Sequence, residues 1–216
     1  MSKLPILIAA FILGAFAIGG VGLVAVTHEL TNERIAANER EATLRKVAAI
    51  LPMDRMDNDP LEDLIEVSNR DLLGAEVTRV YRIRNAGRPI ALVLNPIVPD
   101  GYAGPIKLLV SILADGTLGG VRVLAHRETP GLGDKIEIAK SDWVLDFKGK
   151  SLTDPTESGW KVKRDGGIFD QFAGATITPR AIVKTVLNSL LFVQQQGTSL
   201  YEQPAIGAAA PEKEES

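Results

Sequence analysis

The sequence predicts an α+β fold, with a single N-terminal membrane helix followed by a domain that has an antiparallel sheet and helices on one side. Three observations carry this expectation. Residues 4–26 contain no charged side chain. The middle of the chain alternates apolar and polar residues between turn signals. A segment near the C-terminus repeats its apolar residues at helical spacing.

The first element is Leu4 to Val26, LPILIAAFILGAFAIGGVGLVAV. At about 1.5 Å per residue it spans the roughly 30 Å hydrocarbon core of a bilayer. A cleaved signal peptide would have a shorter apolar region of about 7–15 residues and a small-residue cleavage site. This run instead exits into Val26-Thr27-His28-Glu29, so a retained anchor over residues 1–26 is expected. Ala10 with Gly14, and Ala15 with Gly19, are the small pairs that let membrane helices approach closely. Charge leaves orientation open, because Lys3 on one side faces Arg34, Arg40, Arg45 and Lys46, interleaved with glutamates, on the other.

Residues 27–60 read as a helical stalk, ended by Pro52, and a linker rich in aspartate. The domain proper is expected over 61–196. Its strands are Glu76–Arg84, Pro89–Val98, Ile106–Leu113 and Leu118–Ala125, with Asn85-Ala86-Gly87 and Asp115-Gly116 as hairpin turns. A short helix is expected at Asp134–Lys140, capped by Asp134. A longer one at Pro179–Gln195 carries Ile182, Val183, Val186, Leu187, Leu190 and Leu191 on one face. The tail 197–216, rich in Gly, Ala, Pro, Glu and Lys, is expected to be disordered.

Composition narrows the function. A formal net charge of -3 gives no electrostatic footing for nucleic acid. With no cysteine, disulfides, cysteine-ligated iron–sulfur clusters, thiolate nucleophiles and c-type haem attachment are excluded. His28 and His126 are too few for a histidine-rich metal site. Redox chemistry in such a chain requires an organic cofactor.

Three segments stand out as carriers of chemistry. Pro99-Asp100-Gly101-Tyr102-Ala103-Gly104 is a tight glycine-rich turn, which an ordinary strand connection also explains. In His126–Gly133, HRETPGLG, Gly131 and Gly133 leave room for a planar ring against the backbone. Glu128 and Thr129 there offer polar contacts to the ring's edge. The third is Arg164–Arg180, RDGGIFDQFAGATITPR. Here Thr178 before Pro179 reads as a helix N-cap followed by Pro at the first helical position. That places Thr176 just ahead of a helix N-terminus, where backbone N–H groups and the helix dipole favour a phosphate. Ala173, Gly174 and Ala175 leave space for a ligand.

Asp170-x-x-Ala173-Gly174-Ala175-Thr176 resembles the flavinylation motif of the FMN-binding domain family. In the family motif a Ser or Thr stands where this chain has Ala173. The resemblance implies that Thr176 is esterified to the phosphate of FMN by a dedicated flavin transferase using FAD. Asp170, Gly174, Ala175 and Thr178 belong to the same attachment segment. The segments GYAGPIKLLV, HRETPGLGDKIE, SDW, DGGIFDQF and GATITPRAIV, in that order, are similar to the G subunits of Rnf (Rsx) electron transport complexes. So are the anchor and the THELT segment after it. This implies an electron-relaying subunit, the other Rnf subunits as partners, the inner membrane as location and a periplasmic domain. Two alternatives stay open: the C subunit of the sodium-pumping NADH:quinone reductase, and a membrane-tethered scaffold without redox chemistry.

Overall fold

The computed structural model describes residues 4–51 and 56–206. Contacts divide the chain into two units, Met1–Thr43 and Leu44–Ser216. The first is helix throughout its described length, as part of α1 (Leu4–Ala48). The charge-free run and the expected stalk are thus one continuous helix, because nothing between Pro5 and Pro52 breaks it. Among the described residues no helix is long and apolar enough to cross a membrane. Several side chains of the expected anchor at 4–26 lie outside the described set, and its longest described run, 16–24, is too short for a span.

The second unit is built on one antiparallel sheet. Its strands are β1 (Leu64–Val67), β2 (Thr78–Asn85), β3 (Arg88–Leu94), β4 (Ile97–Val98), β5 (Ile106–Leu113) and β6 (Leu118–Ala125). A short helix, α2 (Arg70–Leu73), follows β1; its N-cap Asn69 accepts from the Leu72 amide. β2 pairs with β1 and β3, while β5 pairs with β3, β4 and β6. β3 and β4 meet opposite ends of β5, so they are the two halves of the single strand expected at 89–98. Pro96, which has no N–H to give the ladder, divides them. β1 lies in a segment without clear alternation, and the sequence reading missed it.

Alternation along the strands sends two side-chain sets to opposite faces. On one face Val80, Leu92, Leu94, Leu108, Val110 and Ile112 pack against α3 (Ile177–Gln196) through Ile182, Val183, Val186 and Leu190. On the other, Tyr81, Ile83, Ala91, Val93 and Leu109 pack against Val47, Ile50 and Leu51 at the end of α1. The expectation of helices on one side only is therefore corrected. Strands this apolar on both faces need cover on both, and the end of α1 with the turn after it supplies the second cover.

Two further corrections concern ends. The helix expected at Asp134–Lys140 is a single 3-10 turn, Gly133–Ile136. Leu132 stands at its N-cap, and Asp134 lies inside it rather than capping it. The tail expected to be disordered from 197 contains α4 (Ser199–Glu202). Arg82, buried on the α3 face of the sheet, donates to the carbonyls of Leu200, Tyr201 and Gln203. Arg84 donates to Tyr201 O at 2.8 Å, and the amide of Ile206 donates to Leu64 O at 2.7 Å. Residues 207–216 lie outside the described set.

Between β6 and α3 the chain has short 3-10 helices but no α-helix. An aromatic cluster holds it instead. Phe147 stacks on Phe169 with ring centroids 4.7 Å apart, and Trp143 meets Phe147 and Phe172 edge-on. The Trp143 indole N–H donates to Asp170 O at 2.8 Å, so the cluster also fixes the backbone leading to Thr176.

Candidate functional site: the start of helix α3

The segment before α3 is a tight turn. The Ala175 amide donates to Phe172 O at 3.2 Å, and Gly174 has φ +80°. A residue two places into such a turn needs positive φ, which glycine adopts without strain. Gly174 is therefore glycine for the turn, whatever binds there. A Cβ at Gly174 would stand 3.4 Å from Leu132 Cδ2, so the 126–133 loop lies directly against this turn.

Thr176, not Thr178, is the N-cap of α3. The helix begins two residues earlier than the Thr-Pro pair suggests. Pro179 is tolerated because the first turn's N–H groups have no intrahelical partner. Thr176 is half-buried, and its side chain makes no capping hydrogen bond. No acidic residue occupies the first turn of α3. The Thr176 hydroxyl thus stands at the positive end of a twenty-residue helix, uncommitted to the helix's own cap.

Thr178 is fully buried, and its Oγ1 donates to Glu128 Oε2 at 2.6 Å. Glu128, only 5% exposed, accepts through its other oxygen from the Ala103 amide at 3.1 Å. One carboxylate therefore ties together all three segments singled out in the sequence. Gly133 is bare for the same reason, since a Cβ there would meet Glu128 Oε2 at 2.5 Å. Gly131 has φ +78° with open space around it. Thr129, Pro130 and Gly131 are exposed, and Thr129 O accepts from the amides of Leu132 and Gly133. Tyr102 is 67% exposed on the loop that Ala103 anchors.

Asp170 stands apart from this junction. Its carboxylate is exposed and pairs with Lys163 at 2.6 Å. The sequence reading missed the ion pair that braces the outer side of α3: Arg180 donates twice to Asp165, at 2.5 and 2.7 Å. The Arg180 guanidinium holds the Asp165 carboxyl below the usual aspartate range, chiefly through that hydrogen bond. The sequence also did not show the contacts of His126, whose Nδ1 accepts from the Glu128 amide and whose Nε2 lies 2.7 Å from Glu137 Oε1.

The residues fit a phosphate ester. A free-standing hydroxyl, a helix N-terminus without acid and a turn of small residues meet at Thr176.

Comparison with known proteins places the chain in a family. Residues 101–191 match the FMN-binding domain family, and residues 1–50 match the RnfG N-terminal region. The G subunit of the ion-translocating oxidoreductase complex of Pseudomonas aeruginosa (strain UCBPP-PA14) is 52% identical over 85% of this chain and 86% of its own length. This chain belongs to the family of G subunits of ion-translocating oxidoreductase complexes. The G subunit of Vibrio atlanticus is 45% identical over 89% of this chain and 92% of its own. That of Cereibacter sphaeroides (strain ATCC 17023) is 44% identical over 90% and 87%. Among solved structures, the C subunit of the Na(+)-translocating NADH-quinone reductase from Parabacteroides distasonis matches with a TM-score of 0.47 at 22% identity, over 67% of this chain and 80% of that one. As a member of the G-subunit family the chain carries an FMN-binding domain, and both cores and the α3 junction lie in the unit that contains it.

Proposed function

We propose that this chain relays electrons within an Rnf-type ion-translocating complex through FMN held as a phosphoester on Thr176. The observation that carries the attachment is the Thr176 hydroxyl, which caps no helix amide although it occupies the N-cap. When bound, the flavin supplies one-electron acceptance and donation, which suits a relay between one-electron centres. The chain's own residues present and orient it. The first-turn amides of Ile177 and Thr178 and the helix dipole stabilise the phosphate's negative charge. Leu132, 43% exposed beside Gly174, and the open backbone of Thr129–Gly131 offer a surface for the ring.

Attachment would replace a phosphoanhydride bond of FAD by a phosphoester to Thr176. The Thr176 oxygen would bond to the flavin-side phosphorus of FAD, the pyrophosphate bond would break, and AMP would leave. The hydroxyl proton passes to a base of the flavin transferase or to solvent. A covalent bond suits a domain outside the cytoplasm, where free cofactor is lost by diffusion. Residues 4–26 form the single membrane span in this reading, with the domain in the periplasm; their uncharged length supports it. The other subunits of the complex are the electron partners.

Peptide mass analysis of protein co-expressed with the transferase tests the attachment. FMN on the peptide containing Thr176 is expected, along with flavin fluorescence that survives denaturation. An unmodified Thr176, or flavin on Thr178, overturns it. A reporter fused after Gly197 tests the topology and should be active only in the periplasm.

A further inference from the structure

We infer that Glu128 and Thr178 are a positioning pair: they fix the first turn of α3 so that Thr176 keeps its hydroxyl for the ester. The inference rests on Thr176 as the attachment residue.

An N-cap threonine ordinarily spends its side-chain oxygen on an amide of the first turn, and losing that bond frays the helix end. Here the cap residue makes no such bond, and the third helical residue, Pro179, has no N–H to give it. Something else must hold the helix start. The Thr178 hydroxyl does so from inside, at 2.6 Å from Glu128 Oε2, with Thr178 fully buried and Glu128 nearly so. Hydrogen bonds to a charged acceptor are about twice as strong as neutral ones.

Glu128 is itself immobilised. Its second carboxylate oxygen accepts from the Ala103 amide, and its Cβ would lie 3.0 Å from any Cβ on residue 133, which is glycine. Its backbone amide donates to His126 Nδ1 at 3.0 Å. Because Nδ1 accepts, the ring proton sits on Nε2 and points to Glu137 Oε1, 2.7 Å away. The carboxylate that grips Thr178 is therefore held at both its side chain and its main chain.

The arrangement divides two tasks between two threonines. Thr178 anchors the helix, and Thr176 is left for chemistry. A glutamate at the flavin's edge, as the sequence suggested, would have needed an exposed carboxylate; this one faces the protein.

The test compares Thr178→Ala with Thr178→Ser in the full chain, with Thr185→Ala as control. Thr185 is another buried hydroxyl on α3, one that does not touch Glu128. Two quantities are read: the rate of FMN incorporation by intact mass, and amide hydrogen exchange over residues 176–182 in the unmodified protein. Thr178→Ala should incorporate FMN at least tenfold more slowly and exchange faster over 176–182. Thr178→Ser should restore both, and Thr185→Ala should match wild type in both. Incorporation by Thr178→Ala at the wild-type rate overturns the inference. So does equal slowing in Thr185→Ala, since the loss would then follow general stability. Wild-type protein without flavin on Thr176 overturns the attachment reading, and this inference with it.

Discussion

The two ends of α3 are both tied to distant parts of the chain, but with opposite chemistry. At the N-terminal end a buried carboxylate, Glu128, accepts from Thr178 and Ala103. Beyond the C-terminal end a buried guanidinium, Arg82, donates to the carbonyls of Leu200, Tyr201 and Gln203, with Asp63 as its counter-charge. The carbonyls that Arg82 takes are those left open at the end of α4, whereas Glu128 takes the side-chain hydroxyl of Thr178 rather than an α3 amide. The surroundings differ more. Arg82 is enclosed by the segment it holds, whereas the N-terminal tie leaves Ala173, Gly174 and Ile177 open to solvent. One end is closed for stability. The other is anchored from beneath so that its outer side remains available.

This contrast breaks most clearly at Arg82. Arg82→Ala strips the Leu200 and Gln203 carbonyls of their donor, leaves the Tyr201 carbonyl to Arg84, and removes one of the two cations on Asp63. Breaking a buried pair of this kind costs about 3 kcal/mol or more. Urea unfolding should show that loss, while protein still folded should accept FMN at the normal rate. The C-terminal tie is thereby separated from the site.

At the other end, Thr178→Val removes a hydroxyl and leaves Glu128 Oε2 without its partner. The cost is about 1–3 kcal/mol, less than at Arg82. Its mark on flavin incorporation should be the larger of the two. If Arg82→Ala slows incorporation in folded protein as much as Thr178→Val does, the two ends are not functionally distinct.

Tyr201 sharpens the closed end. Burial pushes its phenol up to about 12, against the opposing pull of Arg84. An acid whose folded value lies above its unfolded value of about 10 contributes full stability below about pH 10. That contribution is lost as pH rises from about 10 to about 12. Tyrosinate absorbance should show a late ionisation step that Tyr201→Phe removes.

The smallest effect belongs to the open end. Asp165, on the surface beside Arg180, has its carboxyl held below the ordinary range. A depressed carboxyl stabilises the fold above about pH 4 and loses that contribution as pH falls through its lower folded value. Asp165→Asn should therefore change acid unfolding slightly and leave stability at neutral pH within error, because the pair is solvent-screened. A large loss at neutral pH would show that this brace, and not Glu128, carries the helix start.

Several features were legible without coordinates because they depend on neighbours in sequence. The apolar run of 4–26, the hairpin strands β5 and β6, and the apolar face of α3 follow from period and turn chemistry alone. So did the candidacy of Thr176, through the residues around it. The rest required the fold. Which threonine caps α3 was decided by Glu128, fifty residues upstream, whose buried carboxylate draws Thr178 inward. The same contact made Gly133 a packing glycine rather than a ring contact. A tail with a disordered composition became structured over 198–206 because Arg82 and Arg84, on a strand more than a hundred residues away, satisfy its carbonyls. Sequence period reports which face of an element is apolar. It does not report which polar group on another element will reach a backbone end, because that depends on the distance between elements, and tertiary packing alone sets that distance.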